Sequence, residues 1–241
     1  MTRDRPPRLL RHPLEWLGLH QLPALVALVA LTAGAWMFIE IADEIVEQEP
    51  IRFDEKLLLA LRSANDPADP IGPAWLTEMA RDLTALGGTG VLTFVTLATL
   101  GYLLLAGHRR AAVLALVAIT GGILFSTLLK LGFDRPRPDL VPHGARVYTA
   151  SFPSGHSMMA AVTWLTLAAI LTRIIAAPLL KAYVLLVAVA VALLVGVSRV
   201  YLGVHWPSDV LAGWSAGAAW SALCWLAAAW LQRRALVEPE D

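Results

Sequence analysis

The sequence predicts an all-α membrane protein in which six helices cross the bilayer as one bundle. Hydrophobic residues make up 57% of the 241 residues and charged residues 16%, and the mean hydropathy is +0.63. These values lie outside the usual range of water-soluble globular domains. Uncharged runs also recur at intervals, and each is close to the roughly 20 residues that a helix needs to cross a hydrocarbon core of about 30 Å. The runs cover residues 22–39, 83–107, 111–129, 157–172, 182–198 and 210–231.

The flanks of these runs define the rest of the organisation. The fourth and fifth runs are short, so their helices are expected to extend outwards. The first run is expected to remain as a span rather than act as a signal peptide, because no small-residue cleavage site precedes Glu40. We therefore expect one integral-membrane domain over 1–241, with 1–21 as a cytoplasmic lead. Cys224 is the single cysteine, which excludes an intramolecular disulfide, and the net charge of zero gives no indication of a nucleic-acid partner.

Three polar clusters stand out against this apolar background. Span parity places all of them at one face of the membrane, because the first two lie between spans three and four and the third lies between spans five and six. Convergence on one face is what a shared site requires. The clusters are Lys130 with Arg137-Pro138, then Pro153-Ser154-Gly155-His156, then Ser198-Arg199 with His205 and Asp209.

The cations of these clusters suit a phosphoryl group, whose oxygens carry negative charge throughout a transfer reaction. Arg137 and Arg199 offer paired donors that match phosphate oxygens, whereas Lys130 acts as a compact point charge. Any one of them alone could be a basic residue that reaches the membrane interface. The three together favour phosphate binding.

The second cluster has the features of a helix start. Serine is a favoured N-cap, and the first amides of a helix point at whatever lies in front of them. We therefore expect Ser154 and Gly155 to bind phosphate, with glycine allowing close approach, and His156 to protonate the leaving oxygen as a general acid. Taken alone, the cluster would be better explained as an ordinary capped helix.

The third cluster pairs a histidine with an acid. His205 and Asp209 are four residues apart around Pro207, which suits the first turn of the last span. The carboxylate can then accept a hydrogen bond from one imidazole nitrogen and leave the other nitrogen free, as in a nucleophilic histidine. A helix-capping pair is the alternative for these two residues in isolation.

The combined spacing, K-x6-R-P, P-S-G-H and S-R-x5-H-x3-D, resembles the tripartite signature of the type 2 phosphatidic acid phosphatase family. The resemblance covers the catalytic motif region 130–213. It implies a membrane lipid phosphatase that acts on a polyprenyl diphosphate, phosphatidylglycerophosphate or phosphatidic acid. It also implies that His205 forms a phosphohistidine that water hydrolyses, without a metal ion or a cofactor. No metal-ligand motif is visible in the sequence either.

Other functions compete with this interpretation. The family resembled here also contains lipid phosphotransferases, which would use the same site. Soluble vanadium haloperoxidases share the signature, but six spans argue against them. A membrane transporter would carry charge along a pathway through the bilayer, whereas here the motif charges lie at span ends.

The segment 43–82 is predicted to lie outside the membrane and to be helical. Over 51–64, the pattern places Phe53, Leu57, Leu58 and Leu61 on one helical face with charges opposite; residues 65–70 end that helix, and a second is expected over 73–86. Two roles remain open. The first helix could lie in the interface where a lipid substrate enters, or the segment could simply cover the span ends.

Basic residues near the short turns indicate orientation. Their distribution favours both termini in the cytoplasm and the motif clusters at the outer or periplasmic face of the plasma (inner) membrane.

Gly213 and Gly217 form a G-x-x-x-G pattern, which we assign to packing within the subunit rather than to a homodimer seam.

Several residues beside the motifs receive weaker assignments. His143 and Arg146 are expected in a solvated loop, with contact to a lipid headgroup as the alternative. Asp134 and Arg135 are expected to form a local ion pair.

Overall fold

The computed structural model describes residues 22–47, 52–145 and 149–235, and in these ranges the chain forms eight helices and one short β-hairpin. The predicted lead 1–21, Arg146 and residues 236–241 lie outside the described residues. In chain order, the elements are α1 (Leu22–Val46), α2 (Arg52–Ala60), β1 (Arg62–Ser63), β2 (Asp66–Pro70), α3 (Ala74–Ala85), α4 (Thr89–Leu105), α5 (Arg109–Gly132), α6 (Gly155–Ile174), α7 (Pro178–Tyr201) and α8 (Pro207–Ala235).

The long helices confirm the predicted all-α transmembrane bundle. Within the described residues, five helices, α1 and α5 to α8, are each long and apolar enough to cross a membrane, and α3 with α4, which meet at an angle of 46°, pass the same test only when the two are counted as one bent span. Helices α6 and α7 extend beyond the uncharged runs, as predicted. The helix of the second predicted span is not continuous, however, because it is interrupted between Ala85 and Thr89.

Glycine explains the position of that break. A Cβ added at Gly87 would lie 2.5 Å from Val195 Cγ1 and 2.9 Å from the His156 carbonyl oxygen, so only glycine lets the chain pass this close to α6 and α7. Trp164 Nε1 also donates a hydrogen bond to the Leu86 carbonyl at 3.1 Å. These contacts fix the bend beside the start of α6.

Helix α6 is central, with α5, α7 and α8 packed around it and α1 lying along α8. Small residues permit this close packing. A Cβ at Gly213 would lie 2.7 Å from the Ser154 carbonyl oxygen, and one at Gly217 would lie 2.6 Å from the Met158 carbonyl oxygen. The two glycines thus bring α8 against α6 within one subunit, as predicted.

The extramembrane segment differs from the prediction in three respects. Helix α2 ends at Ala60 rather than near residue 64, and an antiparallel hairpin of β1 and β2 follows it. Asp54 is buried together with Leu58, although the charges were expected opposite the apolar residues, whereas Phe53 and Leu57 are exposed. Asp54 is buried because it has polar partners in the site, and Leu58 packs against Val141, Val200 and Val210. The second helix, α3, matches its prediction and packs along α7.

Candidate active site

Four helix ends converge at one face of the bundle and bring the three polar clusters together. Lys130 lies in the last turn of α5, and Arg199 lies in the last turn of α7. Ser154 caps α6, and Asp209 lies in the first turn of α8. The two helix starts are joined directly, because the Ser154 amide donates to the Asp209 carbonyl oxygen at 2.9 Å.

His205 is almost fully buried between an acid and a cation. Its Nδ1 lies 3.4 Å from Asp209 Oδ2, and its Nε2 lies 3.2 Å from Arg137 Nη1. A carboxylate only accepts hydrogen bonds and a guanidinium only donates them, so Nδ1 carries the proton and Nε2 presents its lone pair. The predicted pairing is present, but its geometry was wrong: His205 precedes α8, and a turn rather than a shared helix face brings it to Asp209.

Burial also keeps this imidazole neutral. It lowers the pKa of His205 to about 4, because loss of water disfavours the charged ring. Asp209 opposes this effect through its hydrogen bond and its negative charge, whereas the positive charges of Arg137 and Arg199 reinforce it. The neutral ring is the form in which a histidine can act as a nucleophile.

Arg137 is fixed by the backbone around it. Its Nε donates to the Thr149 carbonyl oxygen at 2.9 Å, and its Nη1 donates to the Val204 carbonyl oxygen at 2.5 Å. Burial lowers the pKa of Arg137, while the charge of Asp209 raises it. The guanidinium is therefore held in place beside Nε2 of His205.

Lys130 and Arg199 supply the other two predicted cations. Lys130 Nζ donates to the Ala150 carbonyl oxygen at 3.0 Å, and its chain lies against Gly155. Arg199 is buried and donates from Nη1 to Thr84 Oγ1 at 3.1 Å, and its Nε has no hydrogen-bond partner among the described residues. A buried donor without a partner is costly, so this nitrogen is available to an anionic ligand.

The start of α6 has the geometry that the sequence indicated. Ser154 Oγ accepts from the Ser157 hydroxyl at 2.9 Å and from the Ser157 amide at 3.5 Å. A Cβ at Gly155 would lie 3.2 Å from Lys130 Cε, so a side chain there would crowd the lysine. His156 lies within electrostatic range of the three predicted cations and of His205.

Two charged residues of the site were missed or misassigned from the sequence. Arg135 does not pair with Asp134; it donates to Asp209 Oδ1 at 2.6 Å and to Asp54 Oδ2 at 2.7 Å. Asp54 in turn accepts from the Ser208 amide at 2.8 Å and from its hydroxyl at 2.5 Å. The extramembrane segment is thereby tied to the start of α8. The sequence shows Arg135 beside Arg137, but it does not show that Arg135 pairs with Asp54 and Asp209 rather than with Asp134.

Two neutral side chains complete the surroundings of Asp209 and Arg137. Ser151 donates its hydroxyl hydrogen to Asp209 Oδ2 and lies 3.4 Å from His205 Nδ1. Thr149 Oγ1 accepts from Arg137 Nη2 at 3.4 Å. His143 is exposed, with Nε2 2.7 Å from the Pro138 carbonyl oxygen, in agreement with the expected solvated loop.

This arrangement of helix ends can be compared with known proteins. The family model of the PAP2 superfamily matches residues 111–233, which include all three motifs. The chain belongs to this superfamily. It is 37% identical over 147 residues to phosphatidylglycerophosphatase B of Bacillus subtilis (strain 168), covering 59% of this chain and 70% of that protein. Lipid A 1-phosphatase of Rhizobium etli is 30% identical over 181 residues, covering 64% of this chain and 74% of that protein.

A solved structure gives the same fold for a PAP2 member. The crystal structure of the transmembrane PAP2-type phosphatidylglycerolphosphate phosphatase from Bacillus subtilis matches with a TM-score of 0.69 and 28% identity, over 86% of this chain and 97% of that chain. The match and the apolar helices together identify this PAP2 chain as a multi-pass membrane protein.

Proposed function

We propose that this PAP2 protein is a membrane lipid phosphatase that uses His205 as its nucleophile. One observation carries the proposal: Nε2 of His205, with its lone pair free of a proton, lies 3.2 Å from the guanidinium of Arg137. A phosphate held by that guanidinium would place its phosphorus next to the nucleophilic nitrogen. The family membership and the names of the relatives support the same class of reaction.

The proposed reaction has two steps. In the first, Nε2 of His205 forms a bond to phosphorus while the bond from phosphorus to the leaving oxygen breaks, and His156 gives that oxygen a proton. In the second, a water molecule attacks the phosphohistidine, His156 takes the proton from the water, and the bond from nitrogen to phosphorus breaks. Lys130, Arg137, Arg199 and the amides behind Ser154 and Gly155 stabilise the negative charge of the phosphoryl oxygens in both steps.

Asp209 would orient the nucleophile rather than contact the phosphate. Its Oδ2 faces Nδ1 of His205, and its Oδ1 is held by Arg135. Arg135 is held in turn by Asp54, so these two residues act as positioning residues. The ring is then held in one orientation, with Nδ1 at Asp209 and Nε2 directed at the reacting centre.

The position of the site supports a lipid phosphate as the substrate. The motifs are at the ends of membrane helices, so a phosphate on a lipid at the bilayer surface can reach them. Phosphatidylglycerophosphate, a polyprenyl diphosphate and phosphatidic acid all present such a group. The direct test is release of inorganic phosphate from a panel of these lipids by the purified protein; no release from any lipid phosphate would contradict the proposal. A transferase would instead move the phosphoryl group to an added acceptor lipid.

We also propose that the reaction needs no metal ion. The described residues contain no group of three or more His, Cys, Asp or Glu side chains that could hold one, and three basic side chains already supply positive charge. EDTA should therefore leave phosphate release unchanged. Loss of turnover in EDTA that magnesium restores would contradict this part of the proposal.

A further inference from the structure

In the part of the chain that the structure describes, the end of the bundle opposite the candidate active site carries positive charge without negative charge to balance it. Arg109 and Arg110 begin α5, Arg173 lies in the last turn of α6, and Lys181 lies in the first turn of α7. Within the described residues, Arg109 and Arg110 have no ion pair or hydrogen bond through their side chains. Stretches 104–114, 168–182 and 222–235 contain no Asp or Glu. Among the residues that the structure describes, the charges at this end therefore have no acidic partner.

A groove opens directly beside these arginines, between α5 and α8. The two helices touch in their middle, where Trp220 stacks on Phe125 with ring centroids 5.4 Å apart and donates from Nε1 to the Ala118 carbonyl at 2.8 Å. Beyond this contact they separate and leave a cavity of about 600 Å³. Its walls are apolar and come from Val113, Val117, Cys224, Ala227 and Leu231, with Arg109 and Arg110 at its mouth.

A second cavity joins the first at its polar end. It has a volume of about 640 Å³ and shares Arg109, Arg110 and Gln232 with the groove. Arg173 lines it and is fixed there, because Nη1 donates to Gln232 Oε1 at 2.9 Å and the guanidinium lies 5.4 Å from the centre of the Trp225 ring. Three guanidinium groups thus surround one polar chamber, and an apolar groove leads from it into the bilayer.

We propose that these two cavities form a binding site for an anionic phospholipid. The chamber would take the phosphate headgroup, since guanidinium groups match phosphate oxygens and none of the described residues that line the chamber is a carboxylate. The groove would take an acyl chain. Arg109 to Val117 is eight residues, which at a rise of about 1.5 Å each gives a depth of about 12 Å, close to half of a hydrocarbon core about 30 Å thick. Basic pockets between membrane helices are known to suit anionic headgroups. The site is separate from the proposed phosphatase chemistry and does not depend on it.

The test counts bound lipid by native mass spectrometry. Purified full-length protein, stripped of co-purified lipid by detergent exchange, is titrated with dioleoyl phosphatidylglycerol or dioleoyl phosphatidylcholine. We expect phosphatidylglycerol to be retained at least about fivefold more than phosphatidylcholine. The Arg109→Ala/Arg110→Ala variant should lose this preference, and so should Arg173→Gln. Lys181→Ala is the matched control, because it removes a positive charge from the same end but does not line either cavity, and it should keep the preference.

Two further measurements distinguish lipid binding at this site from phosphate binding alone and from lipid binding at the candidate active site. Inorganic phosphate should not displace the lipid, because it has no acyl chain to fill the groove. Arg137→Ala should keep the preference, because that residue lies at the opposite end. Equal retention of the two lipids by the unaltered protein overturns the proposal, even if an arginine variant fails to fold. A preference that survives both arginine variants, or that only Arg137→Ala removes, also overturns it. So does lipid binding that appears only after residues 236–241 are deleted, since the acidic tail would then occupy the chamber.

Discussion

The imidazole of His205 is held by groups that act on different nitrogen atoms. Asp209 faces Nδ1 and Arg137 faces Nε2, so the single N–H proton of the neutral imidazole lies on Nδ1. The same two neighbours hold the ring in one orientation. At the scale of single residues, the proposed mechanism therefore depends first on His205, which forms the covalent bond to phosphorus.

Replacing His205 tests that dependence directly. We expect His205→Ala to reduce kcat by about 10⁴-fold or more, because the covalent step has no other nucleophile. Phosphate release in detergent measures the effect, and thermal unfolding checks that the variant is folded. His143→Ala is the matched control, since His143 is exposed at the same face and should retain normal turnover. Near-normal turnover by the His205 variant would rule out the mechanism.

The neutral state of His205 predicts how stability changes with pH. Its pKa is about 4 in the folded protein and about 6.5 in an unfolded chain. Between these values the unfolded chain binds more protons, so the contribution of His205 to stability is complete above about pH 6.5 and is lost as the pH falls towards 4. The unfolding temperature should therefore fall more from pH 7 to pH 5 in the unaltered protein than in His205→Gln. Equal falls in the two proteins would show that the ring is not held neutral.

At the scale of elements, α2 is joined to the active site through charges as well as through Leu58, which is buried in a cluster with Val141, Val200 and Val210. Asp54 on α2 holds both Arg135 and the first turn of α8. A buried ion pair whose partner is removed leaves an uncompensated charge, which costs more than the pair itself contributes. We therefore propose that the segment carrying Asp54 helps to position the catalytic residues and is not only a cover for the span ends.

Asp54→Asn is expected to weaken both stability and turnover. We expect a loss of about 1–3 kcal/mol in the free energy of unfolding, because Arg135 keeps Asp209 but loses its second carboxylate. We also expect kcat to fall while KM changes little, since Asp54 orients the site and does not touch the substrate. Glu55→Gln, its exposed neighbour on α2, is the control and should alter neither quantity. A change confined to stability would make Asp54 a structural residue only.

The spans and the motif residues could be predicted from the sequence, whereas the burial of Asp54 and the β-hairpin could not. Hydropathy located the spans because uncharged runs of this length have few alternatives in a chain, and the motif spacing identified Lys130, His156 and His205. Asp54 was assigned to the solvent face because a charge on an amphipathic pattern is normally exposed. Its burial depends on Arg135, which lies 81 positions away. Local periodicity carries no information about such a distant partner. The β-hairpin was missed for a different reason: it is local, with Arg62 opposite Pro70, but residues 65–70 were interpreted only as the end of a helix.

For the molecule as a whole, the bundle has two chemically different ends. One end holds the motif residues, and the other holds uncompensated arginines at the α4–α5 turn and at the end of α6. Cytoplasmic ends of membrane proteins are enriched in Lys and Arg. We therefore propose that the motif end faces outwards and that both termini lie in the cytoplasm.

Single cysteines would establish which end is outside. In a Cys224→Ser background, Asp139→Cys lies in the exposed motif loop and His108→Cys lies in the exposed turn at the opposite end. A membrane-impermeant maleimide applied to intact cells should label the first and not the second. Permeabilised cells, in which both should react, provide the control. Reversed labelling would place the chemistry in the cytoplasm and exclude outer-leaflet lipids as substrates.

The contact between Asp54 and Arg135 has a consequence for protein engineering. The segment that carries Asp54 lies between the first two spans, whereas Arg135 lies after α5, so a chimera that exchanges this segment with a relative separates the two residues. A donor segment without an acid at this position would leave Arg135 with one carboxylate, however well that segment forms a helix. An exchanged segment in this protein therefore needs an acid at position 54 wherever Arg135 is kept.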